Sequence, residues 1–170
     1  MKIDKVILVD EEDNQTGTME KMEAHKKALL HRAVSVFIFN SKNQMLIQKR
    51  ALNKYHSPGL WTNTACTHPL PGESDIDAAK RRLAEEMGLS TNLNEVFNFI
   101  YKAKLDNGLT EHEFDHVFIG FSDNMPNINT DEVSDYKYVQ IEALRKDITI
   151  NPGHYTAWLK IILKSIKRFL

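Results

Sequence analysis

At 170 residues, 42% hydrophobic and with a formal net charge of -1, the chain is long enough for one buried core and too short to suggest two, so residues 1–170 are read as a single domain. Its 22 basic and 23 acidic residues leave no global positive field, which excludes nucleic-acid binding driven by bulk charge. No apolar run approaches the roughly 18 residues of a membrane span, Met1 to Val9 matches no signal or transit peptide, and a single cysteine forms no internal disulfide, so the cytoplasm is the expected compartment.

In chain order, Lys5 to Asp10 reads as a first strand, and Asp10-Glu11-Glu12-Asp13-Asn14 as a solvated turn whose acidity serves solubility rather than metal binding. His25 and His31 follow in a polar, helical or turn-like stretch. Six residues apart, they fall on different sides of an ideal helix and can share a metal only across a bend or loop. Ala33 to Phe39 has the apolar, β-branched and aromatic composition of a strand buried on both faces, and Asn40 to Gln44 turns it back into Met45 to Lys49. Ile76, Ala79, Leu83 and Met87 recur at helical spacing over Ile76 to Met87, with Ser74 or Asp75 as cap and Gly88 as terminator. Val96 to Lys104 and Glu113 to Phe121 read as strands flanking the turn pair Asn107-Gly108. Tyr136 to Ile141 is a shorter strand, and Thr156 to Leu170 an amphipathic helix. Because strands and helices do not alternate strictly, the order predicts an α/β fold of the α+β type, a mixed sheet flanked by helices.

Three segments carry candidate chemistry. In Trp61-Thr62-Asn63-Thr64-Ala65-Cys66-Thr67-His68-Pro69, a lone cysteine is by itself a small buried hydrophobe. An extended backbone, however, projects positions 66 and 68 to the same side, so a thiol and an imidazole share one pocket. In Glu111-His112-Glu113 the two carboxylates face one side of a strand and His112 the other. A two-residue Asn107-Gly108 loop pairs Lys104 with Glu111 and Lys102 with Glu113, a salt-bridged surface. A three-residue Asp106-Asn107-Gly108 loop instead pairs Ala103 with Glu111 and Tyr101 with Glu113. Sequence leaves both registers open.

The third segment is Arg81-Arg82-Leu83-Ala84-Glu85-Glu86-Met87-Gly88-Leu89, where Arg82 and Glu86, like Arg81 and Glu85, stand one turn apart. Such pairs ordinarily stabilise a helix by about 0.3–0.5 kcal/mol. An arginine fork beside a carboxylate also suits a metal-bound diphosphate, and Lys21, Arg50 and Lys54 are further cations able to close an anion pocket. His25, His31 and His68 with Glu111 and Glu113 supply three imidazoles and two carboxylates, enough for a five- or six-coordinate transition-metal site.

Taken in order, Leu30-His31-Arg32-Ala33-Val34-Ser35-Val36-Phe37, the Trp61 to Pro69 segment, Arg81 to Leu89 and Glu111-His112-Glu113 resemble the type 1 isopentenyl diphosphate isomerases, which share the Nudix fold. The resemblance runs from Ile7 into the helix of Trp158. It implies interconversion of isopentenyl and dimethylallyl diphosphate by a double-bond shift through a tertiary carbocation, with a small diphosphate as substrate and no nucleic-acid or membrane partner, in a monomer or homodimer. Carried over residue by residue, it makes Cys66 one acid/base and Glu113 the other, with Tyr101 beside Glu113. His25, His31, His68, Glu111 and Glu113 match the ligands of a tightly held divalent metal, manganese or zinc. Glu86, with the Cys66 carbonyl, matches a diphosphate-linked magnesium site. Lys21, Arg50, Lys54 and Arg82 match phosphate-facing positions, and Trp158 the aromatic that faces the hydrocarbon.

The chain also departs from the related hydrolases. Their signature glycine, the glutamate six residues on, and Arg-Glu-x-x-Glu-Glu-x-Gly become Thr67, Glu73 and Arg81 to Gly88, so an arginine, Arg82, replaces the first clustered glutamate. That weakens a pyrophosphohydrolase reading, which needs clustered carboxylates to gather metals. A catalytically silent binding module of the same fold would require the Cys66 and Glu113 pair to be fortuitous.

Overall fold

The computed structural model describes residues 4–166. Its strands are β1 (Lys5–Val9), β2 (Gln15–Glu20), β3 (His31–Phe39), β4 (Gln44–Arg50), β5 (Trp61–Thr62), β6 (Ala65–Thr67), β7 (Leu93–Lys104), β8 (Thr110–Phe121) and β9 (Val133–Gln140). The helices are α1 (Lys21–Lys27), α2 (Asp75–Met87), α3 (Ile141–Ile150) and α4 (Ala157–Ile166). All nine strands belong to one mixed sheet.

β3 is its axis. Along one edge it runs parallel to β8, from His31 opposite Glu113 to Phe39 opposite Phe121. Its other edge is shared in turn by β1, β6 and β4, all antiparallel. Flanked on both edges and covered on both faces, β3 is buried at every position but Arg32, as its apolar composition requires. Alternate residues then separate the two cores. Val34, Val36 and Ile38 pack with Ala79, Leu83 and Met87 of α2. Phe37 and Phe39, with Val117 and Ile119 of β8, pack against Trp158, Leu159 and Ile162 of α4.

Local chemistry fixes the ends of α2. The Ser74 side chain accepts from Asp77 N, and Gly88 closes the helix at φ 64°. Only glycine suits that second position, because a Cβ there would lie 2.6 Å from Asn127 O. The β7–β8 hairpin takes the longer loop. Leu105 N donates to Leu109 O at 2.8 Å, and Asn107 and Gly108 both adopt positive φ, 60° and 69°. Tyr101 therefore faces Glu113, and Ala103 faces Glu111.

Several boundaries differ from expectation. Ile141 opens α3 instead of ending a strand; Ile141, Leu144 and Ile148 give α3 a helical stripe on the core. The polar β2, which offers no apolar alternation to read, pairs with β1 along its length. The acidic turn is not wholly solvated: Asp13 accepts from Arg32 Nε at 2.9 Å and contacts His116 Nε2 at 2.9 Å. Arg81 is held mainly by Glu73, at 2.8 and 3.0 Å, with Glu85 only at 3.5 Å. Of the helix expected over Thr156 to Leu170, residues 157–166 form α4, and residues 167–170 lie outside the described chain. No helix among the described residues is long and apolar enough to cross a membrane.

Candidate active site

Period-two projection along β3, β6, β7 and β8 gathers the chemistry on the sheet face that α4 covers. His31 of β3 sits in register with Glu113 of β8, which pairs with Tyr101 of β7. Ser35, two residue pairs along the same face of β3, sits opposite Cys66 of β6, and His68 follows two residues after Cys66. Asn63 and Thr64 of the same motif are structural. Asn63 donates to Val36 O and Ala65 O, while Thr64 Oγ1 donates to Leu46 O and accepts from Ile38 N.

α1 delivers His25. Its first turn is capped by the Glu20 carboxylate, which accepts from Met22 N and Glu23 N, and it ends at Ala28 with φ 55°. That left-handed break is the bend the two histidines require, and it brings the His25 and His31 rings to 5.0 Å. His25 Nδ1–H donates to Lys21 O at 2.7 Å, and His31 Nδ1–H to Leu29 O at 2.8 Å. Each Nε2 is thereby left as a lone pair, buried and without a hydrogen-bond partner. Donor atoms of His25, His31, His68 and Glu113 all lie within 4.8 Å of one another, and those of His25, His56 and Glu111 form an overlapping group. Pre-oriented imidazoles beside carboxylates fit a divalent transition metal.

A cavity of about 600 Å³ opens over this cluster. Cys66, His68, Tyr101, Glu111, Glu113 and Trp158 line it, as do Lys21, Arg50, Lys54, Arg82 and Glu86. His25 and His31, fully buried, lie behind the wall. Arg82 Nε donates to Glu86 Oε1 at 2.9 Å, and its Nη2 to Glu132 Oε2 at 3.0 Å; Lys54 also donates to Glu132. Arg50 is buried, stacks at 5.2 Å on Trp158, and leaves its Nε unpartnered. Cationic and aromatic side chains thus share one pocket lining, with Arg50 against Trp158.

Burial dominates the protonation states. It pushes the Cys66 thiol up to about 12 against the pull of Arg50, and lowers His68 to about 4 and His56 to about 3. It also raises Tyr101, with Glu111 and Glu113 adding to the shift. The two glutamates diverge: burial and Glu113 hold Glu111 well above the usual carboxylate range, whereas the His31 and His68 imidazoles beside it overcome burial and hold Glu113 well below it. Tyr101 Oη lies 2.8 Å from Glu111 Oε2 and 2.7 Å from Glu113 Oε2. A phenol has one hydrogen to donate. The second short contact is accounted for when Glu111 carries a proton and its O–H donates to Tyr101 Oη.

Every residue singled out from the sequence lies at this cavity or directly behind it. His56, Tyr55, Glu132 and the fully buried Asp115 were not singled out. Asp115 continues the Glu111, Glu113 alternation and accepts from Ser35 Oγ at 2.8 Å, a signal that period two carries one step further. His56 and Glu132 sit outside the recurring motifs, in stretches with no periodicity to read.

The NUDIX domain family model matches residues 29–159. A protein of Pectobacterium atrosepticum named isopentenyl-diphosphate Delta-isomerase is 51% identical over 166 residues, covering 98% of this chain and 93% of that relative. One from Photorhabdus laumondii, named isopentenyl-diphosphate Delta-isomerase 2, is 52% identical, covering 95% of this chain and 91% of that relative. Among solved structures, a Deinococcus radiodurans protein superposes with a TM-score of 0.79 at 19% identity, covering 95% of this chain and 98% of that one. A MutT protein from Methanosarcina mazei superposes at 0.67 and 18% identity, covering 82% and 94% respectively. These likenesses in structure establish the fold.

Proposed function

Because this chain belongs to the NUDIX domain family and, within it, to the isopentenyl-diphosphate Delta-isomerases, we propose that its cavity isomerises isopentenyl and dimethylallyl diphosphate, with Cys66 and Glu113 as the proton-transfer groups. The observation that carries this reading is the shared cavity: a protonated thiol and the Tyr101-bonded Glu113 line one space beside Trp158, together with Lys21, Arg50, Lys54 and Arg82.

Isomerisation adds a proton to the terminal carbon of the alkene and removes one from the methylene beside it, so nothing is released. An unactivated alkene is a weak base, and its protonation demands a positioned donor and a dry pocket. One of Cys66 and the Tyr101-bonded Glu113 gives its proton to the alkene while the other, starting without one, takes the proton from the methylene, and reversing the reaction exchanges their roles. The Trp158 indole, 2% exposed, offers a face to the tertiary cation worth roughly 1–2 kcal/mol when desolvated, without presenting a nucleophile. Lys21, Arg50, Lys54 and Arg82 would take the diphosphate, whose binding energy holds the hydrocarbon tail in register.

His25, His31, His68, Glu111 and Glu113 would hold one divalent ion, manganese or zinc. Glu86, with the Cys66 carbonyl, would hold magnesium linked to the diphosphate. Bound there, the ions supply Lewis acidity and neutralise substrate charge. The enzyme would work in the cytoplasm as a monomer or homodimer. Arg82 supports isomerisation over hydrolysis, since it puts a cation where a hydrolase needs a carboxylate. Incubation of metal-loaded protein with isopentenyl diphosphate in deuterated water tests the reading. Deuterium in the allylic product without phosphate release is the expected result; phosphate release without exchange would overturn it.

A further inference from the structure

Glu132 stands immediately before β9, on the segment that follows β8, and its backbone is tied on two sides. Asn127 N and Asn129 N of this segment donate to Met87 O and Glu86 O in the last turn of α2, at 2.8 and 2.9 Å, and Glu132 N donates to Asn129 O at 3.0 Å. Its carbonyl accepts from Ala51 N at 3.1 Å, the first residue of the loop that carries Lys54. The side chain makes the same connection a second time. One oxygen, Oε2, accepts from Arg82 Nη2 of α2 at 3.0 Å and from Lys54 Nζ. Against the upward push of partial burial, Lys54 and Arg82 hold the Glu132 carboxyl below its usual range, so it is ionised at neutral pH.

All three side chains line the cavity. Two cations that share one acceptor oxygen stand within about 6 Å of each other, where like charges repel, and both hang on flexible stems. Arg82 also donates to Glu86 and Glu85, but those carboxylates come from its own helix. Glu132 is the carboxylate that hydrogen-bonds both cations, from a backbone anchored to both elements that carry them. An ammonium has three hydrogens and each terminal guanidinium nitrogen two, so Lys54 and Arg82 keep hydrogens for a phosphate while bonded to Glu132.

We propose that Glu132 is a positioning residue for substrate binding: its Oε2 holds Lys54 and Arg82 at the spacing at which the two together receive the diphosphate. The proposal rests on the reading of Lys54 and Arg82 as phosphate-facing, and its test separates the two. Glu132 acts on the diphosphate and not on the reacting carbons, so its loss should weaken ground state and transition state alike and appear in KM.

The experiment compares full-length, metal-loaded protein with Glu132→Gln, which keeps the size and an acceptor oxygen and loses the charge. Binding of inorganic diphosphate in the presence of magnesium is measured by titration calorimetry, which needs no turnover, alongside KM and kcat for isopentenyl diphosphate. Thermal midpoints within a few degrees establish that the variants fold. The expected result is a rise of roughly tenfold in both KM and the inorganic diphosphate Kd, with kcat changed by less than about twofold. Glu132→Asp, which keeps the charge, should lose less. Glu85→Gln removes an equal charge from Arg82 but keeps the tie to Lys54, and should raise neither constant. A folded Glu132→Gln that binds inorganic diphosphate as tightly as wild type, or more tightly, overturns the proposal, as does an equal weakening in Glu85→Gln. Wild-type protein that binds no inorganic diphosphate overturns the phosphate-facing reading itself. Should Glu132→Gln not fold, Glu132→Asp carries the same comparison.

Discussion

Tyr101 and Glu113 are direct cross-strand partners, with the phenol oxygen 2.7 Å from Glu113 Oε2, and this pairing exists because the hairpin loop has three residues instead of two. With the shorter loop, Lys102 would face Glu113 and the site would be a surface ion pair. The phenol donates to Glu113 and accepts from the protonated Glu111, so Tyr101→Phe should remove the bridge between the two carboxyl groups while keeping the ring. Two buried carboxyl groups then lose a partner, at a cost of about 1–3 kcal/mol, and turnover should fall roughly ten- to a hundredfold. Denaturant unfolding and steady-state rates check both; a Tyr101→Phe enzyme with unchanged kcat would remove Tyr101 from the proton path.

Arg82 holds three carboxylates at once, Glu86 through Nε, Glu85 through Nη1 and Glu132 through Nη2, which a single ammonium cannot reproduce. Arg82→Lys preserves charge and loses the fork. KM for the diphosphate should rise about tenfold, equivalent to about 1.4 kcal/mol, with a smaller change in kcat. Truncation in Arg82→Ala should be worse for folding, because Glu86, 4% exposed, would be left a buried carboxylate without its ion pair.

Much of this was legible in the sequence because it follows from short periodicities. Residues 66 and 68, and 111 and 113, share a face through the two-residue repeat of a strand, and α2 announces its ends with Ser74 and Gly88. What was not legible depends on loops. The hairpin register turned on whether Asp106 joins the turn, which the amino acids alone left balanced. His25 reaches His31 only through the left-handed Ala28, a conformation nothing in Lys27-Ala28-Leu29 signals. His56 and Glu132 arrive from irregular segments whose position is set by tertiary contacts, such as Ala51 N donating to Glu132 O at 3.1 Å.

Removing metal should destabilise the protein. His25 and His31 each bury an unpartnered Nε2, and buried polar atoms without partners cost about 1–3 kcal/mol each. Ions that bind only the folded state add stability through mass action, about 2.7 kcal/mol at a hundredfold excess over Kd. Chelator-treated protein should therefore melt several degrees lower and regain its midpoint when zinc or manganese is restored. An unchanged melting temperature after verified metal removal would show that the histidine cluster is held by packing alone.

Cys66 gives a prediction with a definite sign in pH. Burial raises its pKa from 9.0 to about 12, so at pH 8 the thiolate fraction is lower than in an ordinary cysteine by roughly three orders of magnitude, and the thiolate is the species that alkylates. Iodoacetamide should modify native Cys66 very slowly at pH 8, faster by about tenfold per pH unit up to about pH 12, and rapidly at pH 8 once the chain is unfolded. Linkage gives the matching stability effect. The folded state holds the thiol proton more tightly than the unfolded state, so this contribution is complete below pH 9 and is lost as pH rises from 9 to 12. Wild-type protein should consequently lose stability more steeply over that interval than Cys66→Ala. Alkylation of the native enzyme that is already fast and pH-independent at pH 7 would instead mean a resting thiolate, and Cys66 would then begin the cycle as a base.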